Sequence, residues 1–253
     1  MTDLVEQLEN RIQELERELA DSRQRNDEWL SIVSHDLRGP LTLIIGYGDK
    51  VLHQLRAAKE SSRRIVEVEP IIAAAYRLDK MITQVVEGAR LEGKQVVRHS
   101  LPTDLAPLIR ETVRTTMRRY PTHLLEIDVP DALPLVDCDA AHVTFILSSL
   151  LSNATLFSPV ENGVDLKAEV RRGWVEVSVT DRGLGVSEDE RDHIFELRFR
   201  PERTRHVRRQ GLGISLWIAR ELAMLDDGRL TVDSPGPDRG TTVTLGFQAL
   251  DSE

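Results

Sequence analysis

The sequence predicts an α plus α/β protein: an N-terminal coiled coil, a helical hairpin that dimerises into a four-helix bundle, and then an α/β sandwich. Three observations carry this. Apolar residues recur at heptad spacing near the N-terminus, two long amphipathic helical patterns follow, and after LEGKQ (91–95) the pattern changes to short β-type runs interleaved with helices.

The first element is the heptad seam. Val5, Leu8, Ile12, Leu15 and Leu19 alternate steps of three and four, the spacing of a parallel coiled coil. Ser22 and Asn26 interrupt the seam before Trp29 and Val33 resume it, and polar seam positions fix register. Flanking positions are nearly all Glu, Gln, Arg and Asp. That favours a coiled coil over a helix packed on its own chain. Residues 1–28 are therefore expected to be a coiled-coil signalling helix.

Residues 29–94 are expected to form the hairpin. The first helix continues to about residue 57, and the second runs from about 61 to 92 with Ile65, Val68, Ile72, Ala75, Ile82, Val85 and Ala89 on one stripe. Pro70 is expected to bend it. Two antiparallel helices with one stripe each cannot bury both alone, so pairing with a second copy is expected.

Residues 95–253 form the third region. Its β-type runs are QVVRH (95–99), LLEIDV (124–129), GVDLKAEV (163–170), WVEVSVTD (174–181), GRLTVDS (228–234) and GTTVTLGF (240–247). Helical stretches fall near 104–119, 139–157 and 211–225. Strands and helices mixed in this way imply a sandwich.

Composition narrows the function classes. The chain has 253 residues and a formal net charge of −9, which argues against a nucleic-acid partner, because phosphate neutralisation needs a basic stripe. Cys138 is the only cysteine. An intrachain disulfide and a cysteine-rich zinc site are excluded, and a small core residue in a reducing compartment is expected. No apolar run approaching the roughly 18 residues of a membrane span is expected, and MTDLVEQLENRIQ lacks the plan of a signal peptide. The expected location is cytoplasmic.

The chemistry starts at SIVSHDLRGPLTLIIGY (31–47). With Val33 at zero on a helical wheel, Leu37, Leu41, Ile44, Val51, Leu52 and Leu55 fall between about 0° and 100°. His35 falls at about 200°, with Ser31, Thr42 and Asp49, on the polar face. A core role is disfavoured there. An exposed imidazole with one nitrogen held by an acceptor is a usable nucleophile, and Asp36 is the nearest acceptor. Pro40 lacks the N–H that would bond the Asp36 carbonyl, so a bend is expected one turn past His35.

SHDLRGPLTLIIGY resembles the phospho-acceptor box of sensor histidine kinases, and later segments resemble that family in the same order. LSSLLSNATLFSP (147–159) is similar to its asparagine box. By that resemblance Asn153 binds Mg²⁺ through a hard carboxamide oxygen. DRGLG (181–185) resembles the first glycine box, which implies that Asp181 accepts from the adenine amino group and that Gly183 and Gly185 admit close backbone approach. GLG (211–213) opens a helix, so Gly211 and Gly213 would cradle phosphate. GTT (240–242), with Thr241 at its centre, resembles the last glycine box. Between them, residues 198–209 hold six Arg and one Glu. The resemblance makes this segment the lid over ATP, with Phe195 and Phe199 as its apolar anchor and phosphate contacts from arginines such as Arg209.

Each motif alone is weak: DxGxG is also an ordinary turn, and an Asn near a helix end is commonly a C-cap. Their order is specific, and no GxxxxGK[ST] occurs. The resemblance implies the ATP-binding sandwich shared with gyrase, heat-shock chaperone and mismatch-repair ATPases. It further implies a homodimeric protein histidine kinase using ATP and Mg²⁺. His35, assisted by Asp36, would accept the phosphoryl group and pass it to an aspartate of a response-regulator receiver domain.

Ser149, Leu156 and Arg209 stand where the family usually has Asn, Lys and Gly. A degenerate ATP-binding scaffold is the alternative they raise. A serine kinase of the anti-sigma type shares the ATP domain but lacks the histidine box. Gly39 replaces the usual Thr or Asn, so a bias towards kinase over phosphatase activity is expected.

Overall fold

The computed structural model describes residues 37–39, 41–55, 62–118, 120, 123–201, 204 and 212–250. The expected coiled coil (1–28), His35 and Asp36 lie outside them. The chain divides into two compact units, Met1–Val96 and Val97–Glu253.

In the first unit, helix α1 is described over 37–39 and 41–55, and α2 is Ser62–Glu92. Leu41, Ala75 and Ile82 form a buried cluster with Ile45 packed against it, and Leu52 and Ile72 are also buried. Gly48 lets the helices approach: a Cβ there would lie 2.6 Å from Ile72 Cγ1. Tyr76 donates to Asp49 at 2.6 Å and Arg38 to Thr83 at 3.3 Å. The expected α2 stripe needs one correction. Val86 is buried and Val85 is exposed, because 75, 79, 82 and 86 continue the alternation of four and three that Ile72 and Ala75 begin. The α1 stripe splits in two. Leu41 and Leu52 are buried, whereas Leu37, Ile44 and Val51, spaced by sevens, are exposed. Thr42 and Asp49, on the face assigned to His35, are exposed.

Pro70 lies inside α2, leaving the Val66 carbonyl without its helical N–H partner. The helix closes in a Schellman cap: Gln95 N–H donates to the Arg90 carbonyl at 2.9 Å, Lys94 N–H donates to Leu91 at 3.0 Å, and Lys94 sits at φ 55°.

The second unit contains β1 Leu101–Thr103, α3 Leu105–Met117, β2 Leu125–Asp128, β3 Val136–Cys138, α4 Ala140–Phe157 and a 3₁₀ turn Val160–Asn162. Then come β4 Val164–Arg171, β5 Trp174–Asp181, α5 Glu188–Arg191, α6 Ser215–Leu225, β6 Arg229–Asp233 and β7 Thr241–Gln248. The main sheet has order β2-β4-β5-β7-β6, parallel at β2–β4 and antiparallel elsewhere. β1 and β3 pair separately. Strand alternation sets the layers. Val175, Val177 and Val179 of β5 are buried, and their neighbours face out. Burying each valine contributes about 1.5–3 kcal/mol.

α4 is the central helix, packed on α3, α6, β4 and β5. Contrary to expectation, it is long and apolar enough by composition to cross a membrane. Its serines and threonines interrupt the apolar run without lowering its average much, and burial on several sides explains the apolar character. Cys138 is buried as expected, and burial pushes its thiol up to about 11.

QVVRH is not a strand. Its polar groups bond elsewhere: His99 N–H donates to Asp139 Oδ2 at 3.0 Å, and Arg98 donates to Asp227 at 2.6 Å and to Asp137 Oδ2 at 2.8 Å. Arg98 Nε is 3.4 Å from Asp226 Oδ1, a charge contact without hydrogen-bond geometry. Asp226, at the end of α6, is 1% exposed; it accepts from Asp139 N–H at 3.1 Å and lies 3.1 Å from His142 Nδ1. Burial alone would lower the Arg98 pKa, but the Asp227 bond and the charges of Asp137, Asp227 and Asp226 raise it.

Two helical glycines give opposite expectations. Gly48→Ala drives a methyl into Ile72 and is expected to destabilise the helical unit by about 1–2 kcal/mol. A methyl at Gly46 meets nothing within 4 Å, so Gly46→Ala is expected to stabilise it by about 0.5–1 kcal/mol. Calorimetric unfolding of the two variants checks this; equal shifts would contradict the packing.

Candidate functional site

Strand β5 ends at Asp181, and its next residues pass against the C-terminal end of α4. A Cβ at Gly183 would overlap the Phe157 carbonyl oxygen, so only glycine allows the approach. Gly185 adopts φ 61°, and a Cβ there would overlap the Gly236 carbonyl oxygen. In both cases the backbone admitted is the protein's own. Gly240 N–H donates to the Gly183 carbonyl at 3.2 Å and Asp238 N–H to Leu184 at 2.7 Å. The Ser234 hydroxyl accepts from Val186 N–H and donates to the Gly240 carbonyl. The end of α4, the 181–185 loop and the 234–241 segment are thus fastened together.

The side chains expected to bind ligand lie at this junction. Asp181 Oδ1 accepts from Gly183 N–H at 2.8 Å, and the carboxylate also accepts from Thr241 N–H. Asp181 and Thr241 are register partners on β5 and β7. Burial pushes the Asp181 carboxyl up to about 6, against the pull of those two N–H groups. Asn153 sits one helical turn before Phe157, half-buried, and its carboxamide makes no hydrogen bond among the described residues. Its oxygen is a free hard donor of the kind a divalent cation takes.

Gly213 precedes α6 at φ 69°, and a Cβ there would lie 2.8 Å from the Phe199 carbonyl oxygen. The two ends of the basic segment are thereby adjacent. Phe195 is buried under the Arg220 guanidinium at 5.7 Å, and Phe199 is half-buried beside His193 at 5.8 Å. Arg209 and Gly211 lie outside the described residues.

The sequence reading missed Ser215. Its buried hydroxyl, in the first turn of α6, has no partner among the described residues, and a helix N-terminus favours anions. Its position after GLG was the available signal. Ser149 is buried and Leu156 half-buried in α4. Gly39 is helical and exposed with open space around it, so a larger side chain fits there.

Residues 138–251 match the family described as histidine kinase-, DNA gyrase B- and HSP90-like ATPase. The chain carries a histidine-kinase-type ATPase domain. Similar curated proteins include the sensor-like histidine kinase SenX3 of Mycobacterium tuberculosis, 28% identical over 226 residues, covering 88% of this chain and 54% of that protein. Sensor histidine kinase YkoH of Bacillus subtilis is 30% identical over 224 residues, covering 88% of this chain and 48% of that one. The chain therefore spans about half the length of the curated relatives it matches. Among solved structures, full-length ShkA in complex with AMPPNP is similar with a TM-score of 0.61 and 25% identity, covering 89% of this chain and 47% of that one. The ATPase domain is an ATP-binding fold, and the fastened junction of α4, β5 and β7 holds two side chains of the set expected to contact ATP, Asn153 and Asp181.

The raised Asp181 pKa gives opposite pH trends. The folded carboxyl binds its proton before the unfolded one, so its burial penalty is relieved as pH falls through about 6 and the domain gains stability. A protonated carboxyl loses the capacity to accept from an adenine amino group in the same way. Adenine-nucleotide affinity is expected to fall up to about tenfold per pH unit below that value. Titration of a fluorescent adenine nucleotide across this range tests it. Affinity that stays flat in wild type, or that varies equally in Asp181→Asn, would contradict the role.

Proposed function

We propose that this chain is an ATP-dependent protein histidine kinase that phosphorylates its own His35 and passes the phosphoryl group to an aspartate of a response-regulator receiver domain. The carrying observation is the extent of similarity: relatives named sensor histidine kinases align over more residues than the ATPase unit contains, so the likeness reaches into the helical unit. ShkA, solved in complex with AMPPNP, supports ATP as donor.

On this reading Asp181 takes the adenine, Asn153 holds Mg²⁺, and Gly211, Gly213, Ser215, Thr241 and the lid arginines, Arg209 among them, face the phosphates. Mg²⁺ supplies charge neutralisation on the phosphate oxygens. A lone pair on one His35 ring nitrogen attacks the γ-phosphorus. The bond from that phosphorus to the β-γ bridging oxygen breaks, and ADP leaves with the electrons. The proton on the other ring nitrogen passes towards Asp36. Phosphoryl transfer depends mainly on positioning and charge neutralisation, so the loss of the usual lysine at Leu156 is offset by the lid's arginines.

The working form is a homodimer in the cytoplasm, with the coiled coil of residues 1–28 leading into a four-helix bundle. Leu37, Ile44 and Val51, exposed at seven-residue spacing in the single chain, support a second copy as their cover. The rival scaffold reading draws on Ser149 and Leu156, apolar or small where the family places polar ligands.

Incubation with γ-labelled ATP and Mg²⁺ separates the two. Wild type is expected to take up acid-labile, base-stable label, His35→Gln none, and the sample to sediment as a dimer. A wild type that binds ATP without label would establish the scaffold instead.

A further inference from the structure

The connection between the two units is short and held at both ends. On one side the Schellman cap fixes the chain as far as Gln95. On the other, Arg98 reaches Asp227, Asp137 and Asp226, and His99 N–H bonds Asp139. Between them Val96 and Val97 make no hydrogen bond among the described residues, and Val97 is 67% exposed. The unit boundary falls between these two valines. Two residues span at most about 7 Å.

The acids that Arg98 meets are themselves fixed. Asp226 ends α6 and is buried against His142 and the Asp139 N–H. Asp139 caps α4 by accepting from Ala141 N–H at 2.8 Å. Arg98, through Asp226 and Asp227 at the end of α6, and the His99 N–H, through the α4 cap Asp139, therefore attach the incoming chain to the two helices whose other ends carry Gly213 and Asn153. Nothing in the kinase chemistry requires an arginine at this place, and a plain surface ion pair needs no more than one acid.

We propose that Arg98 is a positioning residue for phosphoryl transfer: by clamping residue 98 to Asp137, Asp226 and Asp227 it keeps the joint two residues long and so fixes the local concentration of bound nucleotide at His35. This rests on the kinase reading above. Without the clamp, residues 98–100 are held ahead of β1 by the His99 N–H on Asp139 and the Ser100 hydroxyl, which donates to Asp137 Oδ2 at 3.3 Å; the joint lengthens from two residues to three where these hold and to five where they open. Effective concentration falls roughly as the −3/2 power of tether length. The autophosphorylation rate then falls about two- to four-fold, with the KM for ATP unchanged.

The test compares four full-length proteins: wild type, Arg98→Ala, a four-glycine insertion between Val97 and Arg98, and both changes together. Arg98→Lys, which keeps the charge and part of the contact, is a rescue control. If Arg98 sets joint length, the insertion slows wild type about five-fold but Arg98→Ala only about 2.4- to 3.6-fold, because the second tether is already longer. Arg98→Lys recovers part of the rate. Amide exchange at His99 quickens in Arg98→Ala while exchange in the α4 and β5 amides does not. Multiplicative effects of the two changes, a raised KM for ATP, or an unchanged rate in Arg98→Ala would each overturn the proposal. A wild type that takes up no phosphate overturns the kinase reading instead, and unaltered His99 exchange in Arg98→Ala overturns the clamp by itself.

Discussion

The contact on which the nucleotide site depends is the approach of Gly183 to the Phe157 carbonyl. A side chain at 183 would overlap that oxygen, so the end of the central helix and the end of β5 meet only because residue 183 has none. The approach brings Asp181, at the end of β5, to the same end of the domain as Asn153, one turn back on α4. Asp181 is half-buried there, and that burial raises its carboxyl pKa. The same loop then bonds the 236–240 segment, which delivers Thr241 opposite Asp181. The proposed nucleotide site thus rests on how tightly three backbone segments pack.

Much of this was legible in the sequence. WVEVSVTD alternates cleanly and is a strand over the same eight residues, 174–181. The apolar stretch ending in Asn153 and Phe157 is the central helix, as read. The Asn, DxGxG and GTT boxes, read from the sequence only as matching a family in order, lie at the end of α4, the end of β5 and the start of β7. What failed has local causes. β1 and β3 have three residues each, too few to show a period of two. QVVRH has strand composition, but Arg98 and His99 spend their donors on acids 39 to 129 positions away. Such a cluster has no spacing to detect. Val86 replaces Val85 in the core because two adjacent valines fit the helical stripe almost equally well, and packing chooses between them. His35, Asp36, Arg209 and Gly211 lie outside the described residues, so their roles rest on motif order.

Charge ties the two ends of the account together. The chain is acidic overall, yet six of its arginines fall within residues 198–209. One cluster forms the segment between Phe199 and Gly213, next to the expected triphosphate. A single arginine, Arg98, meets three acids at the opposite ends of α4 and α6. In the first place the cations lie where a ligand is expected to supply the negative partner. In the second the protein supplies it, and the result is attachment of the chain.

The central claim is that the α4–β5 junction is a nucleotide site in which Asn153 supplies the metal ligand. Calorimetric titration of a non-hydrolysable ATP analogue, with and without Mg²⁺, into wild type and Asn153→Ala tests it most directly. The account predicts that Mg²⁺ tightens binding to wild type at least tenfold and leaves Asn153→Ala nearly indifferent, with both proteins melting alike; about 1.4 kcal/mol of binding free energy corresponds to that factor. An equal Mg²⁺ effect in the two proteins would contradict it.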